Sequence, residues 1–337
     1  MIQIVKRQCL LVDLCLVLAW LCPLTLYGNH PIPIQQHDER AVRAVLIDEV
    51  SDLAINTVTL ITAGWDNLVA DINGEWIFRF PLLEEFIPIL KREKLLLKHL
   101  ENTVSMPIPH YQYIGMRTAF AGYRKIIGGS LNEELYLNLT VDVRQGIAES
   151  LALFLTQLHH AVSVEEALQW GYKEYHVPVQ QIEQSLPGTL PSSEIERIIS
   201  EALVYAKQNP CSANNLVLLH NDLHGENLAF DANMEQVTGV FDFSEAAIGD
   251  YSIEFGKLFC IHQDLATRTA EAYASLNDVA NPIIPAAVDH ILRRAVYILQ
   301  ARECCNASRE SGLVQMLQDF IPIWDELKKE TIQKEFQ

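Results

Sequence analysis

The sequence predicts an α+β fold in two lobes, a small antiparallel β lobe followed by a larger, mainly helical one. Two observations carry most of this. Between residues 55 and 127, short runs rich in Val, Ile and Thr are separated by turn residues and interrupted by one helical pattern. After Gly128-Gly129, a natural hinge, apolar residues recur mostly at helical spacing, with short strand-like runs only around 216–241. The chain of 337 residues thus divides into a hydrophobic leader at 1–28, an N-terminal lobe at 38–127 and a C-terminal lobe at 128–337.

Taken in order, Lys6 and Arg7 precede Cys9 to Tyr27, which is apolar apart from Asp13 and Thr25. That pattern suits a signal peptide or a membrane anchor. Leu26 at the −3 position before Gly28 spoils the small-x-small cleavage pattern. The expectation here is an inert or peripheral segment and a cytoplasmic protein, with membrane attachment or export as the alternative. His30 to Gln36 is a linker, and a first helix is expected from about Asp38 to Ser51. Strands follow at Ile55 to Thr62, Asn67 to Ile72 and Glu75 to Phe80, with turns at Ala63-Gly64 and Asn73-Gly74. In the third strand Trp76, Phe78 and Phe80 share one face and Ile77 and Arg79 the other, so Arg79 needs an anion. From Glu84 to Glu101, Phe86, Leu90, Glu93, Leu97 and Leu100 fall on one helical stripe. Glu93 on that inward stripe would be costly unpaired, and Arg79 is the partner that satisfies both. Pro88 suggests that the regular helix begins only around it.

Strand-like pieces at Tyr111 to Ile114 and Ala119 to Ile127 lead to the hinge. A long helix then buries Val143, Ile147, Leu151, Phe154 and Leu158, and His159-His160 ends it. Further helices are expected near 163–171 and 192–208, and strands at Leu216–Leu219, Leu228–Phe230 and Val237–Phe241. From Ile253 onward the chain reads as helical, with breaks at Asn281-Pro282 and near Ile321-Pro322.

Composition bounds the partners. A hydrophobic fraction of 49% and a net charge of −18 describe a globular protein without a basic footprint, which argues against nucleic acid. The acidic balance is compatible with a cationic small molecule and equally with mere solubility. The seven cysteines, at 9, 15, 22, 211, 260, 304 and 305, lack zinc spacing and read as reduced, mostly buried thiols. Oligomeric state is not encoded in any feature of the sequence.

The chemistry concentrates in His220-Asn221-Asp222-Leu223-His224-Gly225-Glu226-Asn227 and in Phe241-Asp242-Phe243. Each segment leaves an apolar strand and ends in oxygen donors, a set suited to a hydroxyl nucleophile and bound Mg²⁺. Asp222–Gly225 also resembles a fragment of metallophosphoesterases, but the Asp-x-His and Gly-Asn-His segments of that family are absent.

With Gly64-Trp65-Asp66-Asn67, Trp76-Ile77-Phe78-Arg79-Phe80-Pro81, Glu93, Tyr123 to Leu131 and Ile248-Gly249-Asp250, these motifs resemble the aminoglycoside phosphotransferase and choline kinase superfamily. The resemblance spans roughly residues 50–265 and is closest to the antibiotic-kinase branch. It implies a protein-kinase-like bilobal fold, with nucleotide bound by the N-terminal lobe and acceptor by helices near 160–210 and at the C-terminus. Asp222 would accept or orient the substrate hydroxyl. Asn227 and Asp242 would ligate Mg²⁺. Arg79, oriented by Glu93, would hold the α- and β-phosphates of ATP or GTP. Ile77 would lie against the adenine, and the backbone of Ile126, Ile127, Gly128 and Gly129 would meet its edge. His220 would be structural.

Three departures stand out. Asn221 replaces the commonest Gly, Ser244 replaces Gly, and Glu254 replaces a frequent Asp, a change expected to weaken a structural contact. The implied activity is transfer of a γ-phosphoryl group to a hydroxyl, with an aminoglycoside as first acceptor. Macrolides, choline or ethanolamine, and sugar or amino-acid alcohols are the alternatives, followed by an inactive nucleotide-binding pseudokinase.

Overall fold

The computed structural model describes residues 31–61 and 66–335. Residues 1–28 and the Ala63-Gly64 turn therefore lie outside the described residues. Helix α1 (Glu39–Glu49) starts at Asp38, whose carboxylate accepts from the Ala41 N–H at 2.8 Å. Its buried residues Val42 and Leu46 cover a five-stranded antiparallel sheet. The sheet contains β1 (Val58–Ile61), β2 (Asn67–Ile72), β3 (Trp76–Pro81), β4 (Tyr111–Ile114) and β5 (Ala121–Arg124), in the order β1-β2-β3-β5-β4.

Asn73 and Gly74 both take positive φ in the β2–β3 turn. The Asn73 side chain also binds the Asn56 and Thr57 N–H groups, anchoring the approach to β1. Trp76, Phe78 and Phe80 face the lobe core, where Phe78 and Phe80 meet Phe120. The opposite face of β3 is thereby left to Ile77 and Arg79. Strands β1 and β5 are shorter than the sequence pattern suggests. Around Ala121–Arg124 the pairing is reduced to single bonds, from the Ala119 N–H to the Ile32 carbonyl and from the Lys125 N–H to the Glu75 carbonyl, and alternation alone does not make a ladder.

Helix α2 (Ile87–Leu100) follows a 3₁₀ turn at Glu84–Phe86. Pro88 sits in its first turn, where a missing N–H costs no helical hydrogen bond. The larger lobe comprises α3 (Glu133–Leu137), α4 (Val141–Ala161), α5 (Val164–Gln169), α6 (Val179–Ser185) and α7 (Ser193–Gln208). Two small antiparallel pairs follow, β6 (Leu216–Leu219) with β9 (Ala247–Asp250) and β7 (Leu228–Phe230) with β8 (Val237–Val240). A ten-residue 3₁₀ stretch, Tyr251–Cys260, precedes α8 (Gln263–Asn277), α9 (Ile283–Glu303) and α10 (Ala307–Glu335).

Several expectations need correction. Ala247–Asp250, unassigned by pattern, becomes a strand because Leu216–Leu219, distant in the chain, pairs with it. No break falls at Ile321-Pro322; α10 continues through Pro322 while Phe320, Ile321 and Trp324 bury into the core. The chain turns instead at Cys304–Asn306, with Cys305 at φ 52°. Cys211, Cys260 and Cys305 are exposed free thiols and Cys304 is half-buried, against the expectation of burial. His159 does more than end α4: it is buried, with Nδ1 2.8 Å from the Tyr273 hydroxyl. Among the described residues no helix is long and apolar enough to cross a membrane.

Candidate active site

The cleft between the lobes is organised by Arg79. Its guanidinium donates to Glu93 Oε1 at 2.7 Å, to Asp242 Oδ1 at 2.9 Å and to the Tyr111 hydroxyl at 3.3 Å. The ion pair expected from the two sequence anomalies therefore forms, and it includes a third residue from the other lobe. Glu93 Oε1 also accepts from the Phe243 N–H at 3.1 Å, so α2 is tied to the segment bearing Asp242. Burial pushes the Glu93 carboxyl upward and Arg79 pulls it back; burial opposes the Arg79 charge, but Asp242 and Glu93 secure it. Asp66, at the start of β2, is raised mainly by burial, with Arg79 opposing and Asp242 adding to the rise.

The catalytic-loop candidate runs out of β6. His220 is fully buried and neutral, its pKa lowered by burial. It accepts from the Asp222 N–H at 3.3 Å, its Nε2 lies 3.2 Å from the Phe241 carbonyl, and its ring packs on Phe243 at 4.5 Å. It stands as a structural residue rather than a metal ligand. Asn221 takes φ 67°, in the left-handed region that Asn tolerates better than most residues. Its side chain does what a Gly could not: Nδ2 donates to the Glu245 carbonyl at 3.0 Å, and Oδ1 accepts from Arg293 of α9 at 2.9 Å.

Glu254 reverses an expectation. It is fully buried and accepts from the N–H groups of both His220, at 2.7 Å, and Asn221, at 2.9 Å, with His159 Nε2 3.5 Å away. The Glu side chain spans two consecutive amides, so a structural contact is kept.

Asp222 is held from both sides. Its Oδ1 accepts from Lys257 at 2.7 Å, and its Oδ2 accepts from Asn227 Nδ2 at 2.9 Å with His224 Nε2 at 3.3 Å. Burial opposes ionisation, but His224 and Lys257 overcome it and hold the carboxyl far below the usual range. Asn227 directs its amide nitrogen at Asp222, which leaves its amide oxygen for another partner. The β7–β8 hairpin brings it beside Asp242, because the Asn227 carbonyl accepts from the Phe241 N–H at 3.1 Å. Burial opposes the charge of Asp242, at φ 64°, but Arg79 and the Ser244 side chain lower its pKa.

The adenine-edge expectation is narrowed. Gly129 exchanges both backbone hydrogen bonds with Phe230 at 2.9 Å, and the Ile127 carbonyl accepts from the Thr238 hydroxyl at 3.0 Å. Gly129 is therefore engaged in joining the hinge to β7. A side chain at Gly128 would collide with the Phe230 carbonyl at 2.7 Å, so this close approach requires glycine. Ile77 is buried beside Arg79 on β3, while the Ile127 side chain is exposed. The Ile126 side chain packs over Gly239 of β8.

Sequence reasoning missed Lys257, Glu245 and Tyr111. A signal was present for Lys257, a lone cation within Phe255–Ile261. Glu245 and Tyr111 gave none, since only the fold brings Tyr111 of β4 to Arg79 and Glu245 near Asp222. Glu245 is exposed at the residue level, yet protein packed around its carboxyl, followed by repulsion from Asp222, pushes that carboxyl up to about 7. A carboxyl whose folded pKa is raised favours folding while protonated, and that contribution is lost as pH rises through about 7. Glu245→Gln is therefore expected to raise the melting temperature more at pH 8 than at pH 5. An equal change at both values would disprove the perturbation.

A bilobal α+β molecule with a buried Arg–Glu pair facing an Asp, an Asn and a second Asp defines a kinase-like phosphotransferase. Residues 57–282 match the phosphotransferase enzyme family (APH), and the chain belongs to it. Aminoglycoside 2'-phosphotransferase-IIIa, solved as its GDP complex, is similar over 85% of this chain and 99% of that chain, with 22% identity and a TM-score of 0.75. Macrolide 2'-phosphotransferase type I is similar over 85% and 98%, with 16% identity and a TM-score of 0.61. A macrolide 2'-phosphotransferase from Brachybacterium faecium is similar over 82% and 97%, with 19% identity and a TM-score of 0.61. At these identities the likeness is one of fold.

Proposed function

We propose that this phosphotransferase moves the γ-phosphoryl group of ATP or GTP onto a hydroxyl of a small acceptor, with an aminoglycoside as first candidate. The carrying observation is the Arg79 fork, which joins Glu93 of the N-terminal lobe to Asp242 of the C-terminal lobe across the cleft. Arg79 is always charged and planar, suited to the donor's α- and β-phosphates once they compete for its N–H groups. Asp222 receives the acceptor hydroxyl. As the hydroxyl oxygen bonds to phosphorus, the bond to the β-phosphate oxygen breaks and its electron pair leaves on the diphosphate. The hydroxyl proton passes to Asp222 or departs with the product phosphate. A carboxylate held so far below its usual range orients the hydroxyl and takes the proton only late.

The donor set fits Mg²⁺. Asn227 has its amide oxygen turned from Asp222, Asp242 supplies a carboxylate, and few protein ligands suffice for an ion that keeps waters and phosphate oxygens. Bound there, Mg²⁺ would neutralise charge on the β- and γ-phosphates. Support for the acceptor class comes from the neighbours, since one is described with GDP and kanamycin and another with streptomycin and ATP. Neighbouring macrolide enzymes keep macrolides as the second reading. Dependence on ATP or GTP points to the cytoplasm, with residues 1–28 taking no part in catalysis.

The deciding experiment measures ADP or GDP release from MgATP and MgGTP with kanamycin, gentamicin, erythromycin, choline and simple sugars. Turnover with an aminoglycoside at ~1–100 s⁻¹ is expected. Turnover with erythromycin alone would transfer the assignment to macrolides, and nucleotide binding without any transfer would leave a pseudokinase.

A further inference from the structure

Lys257 lies outside every motif that marks the family in this sequence, yet its Nζ touches the central carboxylate, 2.7 Å from Asp222 Oδ1. The opposite oxygen, Oδ2, is already occupied by Asn227 Nδ2 at 2.9 Å and faced by His224 at 3.3 Å. Oδ1 accepts from Lys257 while Oδ2 faces two groups, so among the described contacts Oδ1 keeps more lone-pair capacity for an acceptor hydroxyl, and Lys257 stands beside it. The surroundings are acidic: the carboxylates of Asp222, Asp66 and Asp242 all lie close enough to repel charge on Glu245, and Lys257 opposes them. Two further buried cations are already committed, Arg79 to Glu93 and Asp242, and Arg293, whose charge reaches Lys257, to Asp289 and Asn221. A transferring phosphoryl group adds negative charge to this setting, and Lys257 is placed to offset it on the acceptor side.

We propose that Lys257 is a further catalytic residue, its ammonium bridging Asp222 Oδ1 and an oxygen of the transferring phosphoryl group. This rests on the kinase reading above. An ammonium has three donors on a flexible stem, so one hydrogen can stay on Asp222 while another reaches the phosphoryl oxygen. Lys257 neither gives nor takes a proton in the step; it offsets charge as the new O–P bond forms and the bond to the β-phosphate breaks.

A purely structural role is poorly motivated. The 3₁₀ stretch that carries Lys257 is already fastened to the same loop through Glu254, which binds two of its N–H groups. The Lys257 side chain is 14% exposed, so it opens to the cleft rather than filling the core. Its ammonium lies 5.8 Å from the Tyr297 ring of α9, a contact that supports the charge while leaving its hydrogens directed elsewhere.

The test compares full-length wild type with Lys257→Met, which keeps the apolar stem, and Lys257→Arg, which keeps the charge. Diphosphate release from MgATP and MgGTP is followed with the same acceptor panel and with water alone. Nucleotide affinity and melting temperature are measured in parallel. The Met variant is expected to lose about 100-fold in kcat, the scale of removing one donor to a charged transition state. Its nucleotide affinity should stay within about twofold and its KM should change little. The Arg variant should recover at least about tenfold of the loss. A Met variant with wild-type kcat overturns the proposal, as does one that loses nucleotide affinity and thermal stability together with kcat. Wild type without turnover on any acceptor or water would sink the kinase reading itself, a result distinct from either.

Discussion

Asp222→Asn is expected to lower kcat by about 10³–10⁴-fold while leaving nucleotide affinity nearly unchanged. The substitution preserves shape and can still receive one hydrogen bond from Asn227 or Lys257, whose donors surround the carboxylate. What it removes, on the proposed mechanism, is the charge that aligns the acceptor hydroxyl. Affinity for nucleotide should persist because Arg79, Glu93 and Asp242 form a separate hydrogen-bonded group on the donor side. Steady-state kinetics with the best acceptor and direct titration with MgATP or MgGTP separate the two effects. Wild-type turnover in the variant would remove Asp222 from its role. Loss of nucleotide binding would mean that the loop, not the charge, had failed.

The second large effect falls on a residue that touches neither substrate. Glu254→Ala should destabilise the protein by roughly 3–5 kcal/mol, since the two N–H groups of His220 and Asn221 would be left buried without acceptors. Because those amides belong to the residues just before Asp222, kcat should fall too, with the proposed catalytic carboxylate itself intact. Burial opposes the Glu254 charge, but His159, His220 and the Asn221 N–H hold its carboxyl below the usual range. Its stabilisation is therefore present above the ordinary glutamate pKa and is lost as pH falls through the lowered one. Urea unfolding at pH 7 and at pH 4 provides the check: the stability gap between wild type and variant should narrow at the lower pH. A gap of the same size at both values would show that ionised Glu254 is not what holds the loop.

These two predictions differ in how far the sequence could have supplied them. The residues around Asp222 are close in the chain, and a carboxylate five positions before an amide, after a buried strand, is a local pattern. The same holds for β3 and α2, where Arg79 and Glu93 each sit on an apolar face by simple periodicity. An anomaly of that kind is visible without a fold, because burying a lone charge is costly whatever surrounds it.

The features that the sequence hid are those with no local anomaly. Glu254 falls in a stretch that pattern reads as ordinary helix, and it acquires its role only when the 3₁₀ segment lies against β6. Arg293 looks like one more basic residue of a long helix until α9 brings it to Asn221. Gly129 appeared to be a free hinge, and long-range pairing with Phe230 turned it into a fixed one. Ala247–Asp250 has weak strand character and forms a ladder only because Leu216–Leu219 is adjacent in space.

The sequence by itself thus determined the two-lobe α+β plan, the Arg–Glu pair and the Asp-Asn-Asp set, because periodicity and the cost of burying charge act along the chain. The tertiary structure alone decided how Asp222 is held, by Lys257 in front and by a loop fastened to Glu254 and Arg293 behind. Those contacts join residues more than thirty positions apart. Their hydrogen bonds depend on distances that only packing of the lobes can set.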